Sequence, residues 1–342
     1  MNKSLLMAIT ACAAMAMTSC SSEDLTSGTT QANETPISFS TYLGRNVESR
    51  AGETTSETIK TDNFGVFASY TTGDWANTAT PNFMFNQKVT YSTNKWSYTP
   101  VKYWTNTGKF SFFAYAPYGT TENGIATSSV NTATGEPVLK ITVPTDQSKM
   151  IDFVAANAMN QTYNTSNAGE VKFVLKHEMT RAAFKATKAS GIAASTSVTV
   201  TGITLTSKKL YKEATYKFAS TADAAGTWTP TELTTDNTIT LSNLSVTGTT
   251  QSPYLYLIPV SELGASDVSV KVDYTVTTTD DNVVGGQVET TGTQTVNLPA
   301  STLQQGKSYV FTFSIGLNEI KLSATVDSWA TDIDKPVTVP AN

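Results

Sequence analysis

The chain has 342 residues, a formal net charge of −5, charged residues at only 15%, aromatic residues at 10% and two cysteines. No basic stripe offsets the acidic balance, so recognition of nucleic acid through its phosphates is excluded. Low charge with abundant Thr, Ser and aromatic residues is the composition of β-structure rather than helix.

Residues 1–20 read as a targeting segment. Lys3 gives a positive start, the apolar run from Leu5 to Met17 is too short to span a bilayer, and Met17-Thr18-Ser19-Cys20 resembles a bacterial lipobox. Met17 stands where that pattern prefers Leu, and Cys20 is the residue expected to carry lipid. Ser21-Ser22-Glu23-Asp24 resembles the acidic surface-export tag of Bacteroidetes lipoproteins. Cys12 leaves with the targeting segment, so with Cys20 acylated no free thiol remains for a disulfide or a thiolate metal site. The roughly 320 residues that follow suffice for two domains of ordinary size.

Residues 21–35 are polar and nearly without apolar anchors, the composition of a tether. A strand pattern follows, with Ile37, Phe39, Thr41 and Leu43 on one face and Ser38, Ser40 and Tyr42 on the other. It runs directly into Arg45 and Arg50, two of the three arginines that the chain holds against twenty lysines. An arginine-specific protease would therefore separate this strand from the rest of the protein. Arg50 is the preferred processing site, since it lies further past the strand and precedes the small pair Ala51-Gly52; Arg45 is the alternative.

After the polar stretch 51–63, strand patterns recur. Phe64, Val66, Ala68 and Tyr70 alternate; Phe83 to Val89, Lys95 to Tyr98, Val101 to Trp104 and the aromatic run Lys109 to Tyr118 follow. Leu139, Ile141 and Val143 make another strand, and Val171, Phe173 and Leu175 lead into His177. A second block begins near Phe184 to Ala194. Val198 and Val200 share a face, and a phase shift at Gly202 before Ile203 and Leu205 predicts a β-bulge. Ile239 and Leu241, Tyr254 to Ile258, and the alternation Val268, Val270, Val272, Tyr274, Val276 come next, then Tyr309, Phe311, Phe313 and Ile315. Helical turns are expected only near Ser148 to Asn157 and near Ala300 to Gln305. The spacing is that of sandwiches rather than βαβ units, and the fold class is all-β.

The tail closes on Ile320, Leu322, Ala324 and Val326, alternating with polar residues, then Trp329, and finally Val337 and Val339. A terminus this apolar calls for a groove to lie in.

Residue types that carry chemistry are sparse. His177 is the sole histidine and has no patterned carboxylates beside it, so a structural place at a strand end is expected. Asp280-Asp281-Asn282 lacks the spaced oxygen ligands of a calcium loop and reads as a hairpin turn. Trp96, Tyr98, Tyr103, Trp104, Tyr115 and Tyr118 could form a sugar-stacking platform, which leaves a monomeric surface glycan-binding lipoprotein as the alternative function. Phosphate loops, nucleophile elbows and paired catalytic acids are missing. No enzyme activity, cofactor or metal is expected.

The lipoprotein start, Phe64-Gly65-Val66-Phe67-Ala68, Lys102-Tyr103-Trp104 with the Phe110 to Tyr118 block, and His177-Glu178-Met179-Thr180-Arg181 come in a characteristic order. Leu257-Ile258-Pro259 and the run Gly306 to Phe313 with Val326 and Trp329 complete it. In this order and spacing, over nearly the whole chain, the sequence resembles the fimbrillin family, subunits of the type V pili of Bacteroidales. The resemblance implies two tandem transthyretin-like Greek-key β-sandwich domains, placed at 51–188 and 189–342, with 21–50 a removable tether and first strand. It implies an outer-membrane lipoprotein precursor held by lipid at Cys20, cut by a trypsin-like protease, and polymerised at the cell surface with copies of itself and other pilus subunits. The donor strand lies in the tail at about 320–342 (Ile320, Leu322, Ala324, Val326, Val337, Val339) and replaces Ile37, Phe39, Thr41 and Leu43. A shaft position is expected rather than tip or anchor, in support of adhesion or biofilm formation through a host or bacterial surface ligand.

Overall fold

Nearly every alternating stretch of the sequence becomes a strand. The structure is a computed structural model that describes residues 34–43, 52–316 and 320–329, together with the backbone of 337–339. The first half runs β1 (Ser38–Tyr42), a short helix α1 (Thr58–Asp62), β2 (Phe64–Thr71), β3 (Met84–Ser92), β4 (Lys95–Ser97), β5 (Lys109–Ala116), β6 (Ile125–Thr127) and β7 (Val138–Thr142). It continues through β8 (Val154–Gln161), β9 (Glu170–Val174), β10 (Lys176–His177) and β11 (Thr180–Lys188). Next come β12 (Thr196–Ser207), β13 (Glu213–Lys217), β14 (Thr227–Pro230), β15 (Asn237–Leu241) and β16 (Leu255–Leu257). The last are β17 (Ser269–Thr279), β18 (Gln287–Asn297), β19 (Lys307–Ile315), β20 (Ile320–Ser328) and β21 (Val337–Val339).

These strands assemble into the sheets β1-β9, β10-β8-β5-β2-β3-β4, β16-β11-β19-β20-β21, β15-β12-β17-β18 and β14-β13-β7-β6. One core lies between the β1-β9 pair and the six-stranded sheet, where Ile37, Phe39, Leu43, Phe64, Phe112 and Phe173 meet. A second, larger core joins the opposite face of that sheet, through Phe67, Phe113 and Tyr115, to Leu139, Ala214 and Tyr216. The same core continues between the β11-β19-β20 face and the β12-β17 face, where Phe184, Phe311 and Phe313 face Val200, Leu205, Val270 and Val272.

The expected bulge is present, because the register of β12 on β17 shifts between Val200 and Gly202. Asp280 Oδ1 accepts from Asn282 N at 2.9 Å and from its side-chain amide at 3.0 Å, closing the turn from β17 into β18. The turn at Ser148 to Asn157 needs correcting: only Gln147–Lys149 is helical, as one 3-10 turn, and β8 follows. Ala300 to Gln305 is not helical either, since Ser301 and Leu303 have φ of 60° and 61°. The short helix α1 falls in a stretch expected to be a plain connection, where it buries Ile59. Pairing also crosses the expected 188/189 division. β11 precedes it yet lies between β16 and β19, and β7 pairs with β13.

Candidate functional site

The first strand is an edge strand in a closely fitted bed. β1 runs parallel to β9, from Ser38 opposite Glu170 to Tyr42 opposite Val174. Leu175 N extends the pairing by donating to Tyr42 O at 2.8 Å. On the other side no ladder forms. Ile37 N donates to Lys102 O at 2.8 Å, Trp104 N donates to Thr35 O at 3.1 Å, and the Tyr98 hydroxyl donates to Ile37 O at 2.8 Å. Burial pushes that hydroxyl up to about 12, so it remains a neutral donor.

Alternation places Ile37, Phe39 and Leu43 inward, all buried, with Thr41 half-buried. Phe39 is the hub. Its ring lies 5.3 Å from Tyr98, 5.5 Å from Phe173, 5.8 Å from Phe112 and 6.2 Å from Phe64. Edge-to-face and offset contacts of this kind add to area burial. An edge strand held by one ladder is also the least costly kind to detach, and its loss leaves unpaired backbone on β9 beside an apolar trough.

The C-terminal residues occupy a different position. β20 pairs antiparallel with β19 over nine positions, from Lys307 opposite Ser328 to Ile315 opposite Ile320. On its outer side β21 adds three pairs, Ala324 to Val339, Thr325 to Thr338 and Val326 to Val337. Ile320, Leu322 and Ala324 are buried in this sheet and Val326 half-buried. In the single chain these residues thus serve their own core.

A polar cluster that sequence reasoning missed links the residues after the first strand to the end of β20. Arg181 Nη1 donates to Glu53 Oε1 at 2.6 Å, and the guanidinium sits 4.5 Å from the Tyr254 ring centroid and 4.8 Å from that of Trp329. The Trp329 indole N–H donates to the same Glu53 oxygen at 3.4 Å. The His177 imidazole stacks on Trp329, and its Nδ1 is 2.7 Å from Asp152 Oδ2. Thr54 N donates to that carboxylate oxygen at 3.2 Å. The local signal for this cluster was Arg181 itself, a cation set in an apolar strand that requires a partner.

This also explains the histidine. His177 is buried at a strand end between Asp152 and Trp329, the structural place expected for it. Among the described residues no group of His, Cys, Asp and Glu could hold a metal ion. Arg181 is held within β11 by its ion pair and two rings, so it offers a protease little access. Arg45, Arg50 and Cys20 lie outside the described residues. The six aromatics weighed as a sugar platform do not form one: Tyr98, Trp104 and Tyr115 are buried. Trp104 gives its indole N–H to Gly169 O at 2.8 Å, and the Tyr115 hydroxyl donates to Asn86 Oδ1 at 2.7 Å.

The chain is all-β, and its first strand lies at a sheet edge over an apolar bed. The crystal structure of a fimbrial protein from Bacteroides vulgatus superposes with a TM-score of 0.73 at 27% identity, over 86% of this chain and all of that one. Fimbrium subunit Fim1C of Phocaeicola vulgatus is 30% identical across 98% of this chain and 99% of that protein. A family model described as fimbrillin-like matches residues 49–329, and the chain belongs to that fimbrillin-like family. It is a fimbrial subunit, structural rather than enzymatic, of a cell-surface appendage.

Proposed function

We propose that this subunit polymerises by strand exchange: cleavage after Arg50 releases β1, and the C-terminal strand of another subunit takes its place. The observation that carries this reading is a match of spacing. Ile37, Phe39, Thr41 and Leu43 recur at every second position over seven residues, and so do Ile320, Leu322, Ala324 and Val326. Read in the same direction, Ile meets the Ile position, Leu the Phe, Ala the Thr and Val the Leu. β20 could therefore enter the vacated trough parallel to β9, satisfying its backbone by β-augmentation. Burial of Ile320, Leu322 and Val326 at about 1.5–3 kcal/mol each, with less from Ala324, gives a gross gain of several kcal/mol. Ordering costs of about 1–2 kcal/mol per backbone residue offset much of it. β21, held by three register pairs, would come free before β20, held by nine.

In this reading the precursor is an outer-membrane lipoprotein with lipid at Cys20, and Arg45 is the alternative cut. Two transthyretin-like units, drawn at 51–188 and 189–342, would share strands across that division, with the donor tail at about 320–342. Exchange from head to tail is heterologous and does not close, so it yields a filament. A subunit with both a releasable strand and a donor tail suits the shaft, and the filament would support adhesion or biofilm formation.

Treatment of the purified chain with an arginine-specific protease tests this. The expected result is a mature form beginning at Ala51 that builds a ladder of oligomers on a gel, and an Arg50→Ala protein that stays uncut there and monomeric. A protein that is cut after Arg50 but remains monomeric, or an uncut Arg50→Ala protein that polymerises normally, would falsify the scheme.

A further inference from the structure

A cleft of about 1050 Å3 lies elsewhere on the molecule, just above the roughly 300–1,000 Å3 range of ligand pockets. It opens between β14 with its flanking residues (226–232) and two loops at 259–267 and 301–305, with Lys209 and Tyr211 also on its wall. It is separate from the bed of β1 and from the cluster around Arg181.

The walls are built rather than incidental. Val260 N donates to Leu303 O and Ser301 N to Leu263 O, both at 2.9 Å, tying two of the loops together. Ser301 and Leu303 both hold left-handed φ, which for a bulky residue such as leucine persists only where the surroundings impose it. Leu303 itself is buried and pins the loop to the core.

Trp228 lines the cleft with its ring held in place. Its indole N–H donates to Glu178 O at 2.8 Å, and Tyr216 and Phe153 meet the ring edge-on at 5.1 and 5.9 Å, so the half-buried ring is set in one orientation. The Gln305 side-chain amide donates to the buried carboxyl of Glu178 and, at 3.0 Å, to Gly226 O. Its oxygen is left as an acceptor of known direction. Tyr211 gives its hydroxyl to Glu232 Oε1 at 3.4 Å.

The chemistry of this lining selects a ligand class. Glu232, Glu262 and Asp267 outweigh Lys209, so phosphates and sialylated chains are repelled. A cationic ligand would seek the face of Tyr211, but Lys209 Nζ already sits 6.0 Å from that ring centroid. Aromatic face, carboxylates and planar amides together suit a ligand with an apolar C–H face and rows of hydroxyls, each both donor and acceptor.

We propose that this cleft binds a neutral oligosaccharide, with Trp228 as the stacking face and Glu232, Gln304 and Gln305 as partners for its hydroxyls. The proposal goes beyond strand exchange and does not depend on it, because the cleft is complete in the single chain.

Isothermal titration calorimetry on the full uncleaved chain tests it, with mannohexaose, cellohexaose and lacto-N-neohexaose as neutral probes and 3′-sialyllactose as the anionic one. Saturable binding of at least one neutral chain is expected, with none of the sialylated one. Because Trp228 also packs against the core, the decisive variant is the exposed pair Glu232→Gln with Gln304→Ala. Losing hydrogen bonds to a charged and a polar partner should weaken binding at least about tenfold. Trp228→Ala that keeps the native circular dichroism spectrum should abolish it. Silence from all three neutral probes, equal binding of 3′-sialyllactose, or unchanged affinity in the double variant would overturn the assignment.

Discussion

The indole of Trp329 lies flat on the imidazole of His177, with ring centroids 4.0 Å apart and planes 11° from parallel. The stack joins Trp329, directly after β20, to the segment that leads into β11. With Arg181 and Glu53 it makes the exit of the C-terminal strand and the residues just beyond Arg50 parts of one buried cluster. In the proposed maturation scheme, the two ends that must change partners are thus energetically linked.

Arg181→Met should expose the cost of that cluster. The variant leaves the Glu53 carboxylate, whose side chain is only 1% exposed, without its guanidinium. Breaking a buried pair from one side typically costs about 3–5 kcal/mol, whereas removing both charges is often nearly neutral. Urea unfolding should therefore show a large loss for Arg181→Met and recovery of much of it in Glu53→Gln/Arg181→Met. Equal losses in the single and double variants would mean that the pair matters through packing alone.

Phe39→Ala should loosen β1 without disturbing the sheet across the trough. Truncating a buried phenylalanine costs about 3–5 kcal/mol, and here the loss falls on an edge strand. Amides of Ser38 to Tyr42 should exchange with deuterium faster, and arginine-specific cleavage of the precursor should speed up. Unchanged protection of those amides would show that β1 is held by its ladder with β9 rather than by its side chains.

Much of this was legible in the chain, for reasons that can be named. β1, β17 and β19 alternate with period 2 and end at turn residues, so face and limits could be read together. The bulge at Gly202 showed as a slip of phase. β8 was hidden because Ala155, Ala156 and Ala158 give no contrast between faces, and a run of alanine also favours helix. β2 reads as a one-faced strand, yet Phe64 and Phe67 enter different cores because the sheet is covered on both sides. Gly65 is part of that arrangement: a Cβ there would lie 2.3 Å from the Tyr115 ring. The Glu53, Asp152, Arg181 and Trp329 cluster joins residues far apart in sequence, and no local period encodes such a meeting.

Glu178 makes stability depend on pH in an unusual direction for a carboxylate. Burial raises its pKa to about 8, against the opposing hydrogen bonds from Gln305 and Tyr216. The folded chain therefore keeps a proton that the unfolded chain releases near the ordinary glutamate value of 4.5. Stabilisation from this group is complete below the unfolded value and lost as pH rises through the folded one, at up to about 1.4 kcal/mol per pH unit between them. Tm should fall from pH 5 to pH 8. Glu178→Gln, which stays neutral, should flatten that slope and be relatively more stable at pH 8.5. A slope that persists in Glu178→Gln would assign it to other groups.

Two synthetic peptides should separate the roles of the C-terminal strands. A peptide of residues 318–328 carries Ile320, Leu322, Ala324 and Val326 in the spacing of the β1 trough, whereas 330–342 carries Ile333, Val337 and Val339, which do not match that four-pocket spacing. Added in excess to freshly cleaved subunits, the first should occupy the trough and arrest the oligomer ladder, because an incoming strand gains most where it fills every alternate pocket. A version with Leu322→Asp places a charge at the Phe39 position, among Tyr98, Phe112 and Phe173, and should lose its effect through desolvation. Arrest by the 330–342 peptide alone would move the donor to the segment containing β21. β20 would then be a fixed member of its own sheet, with Trp329 marking where the donor segment begins.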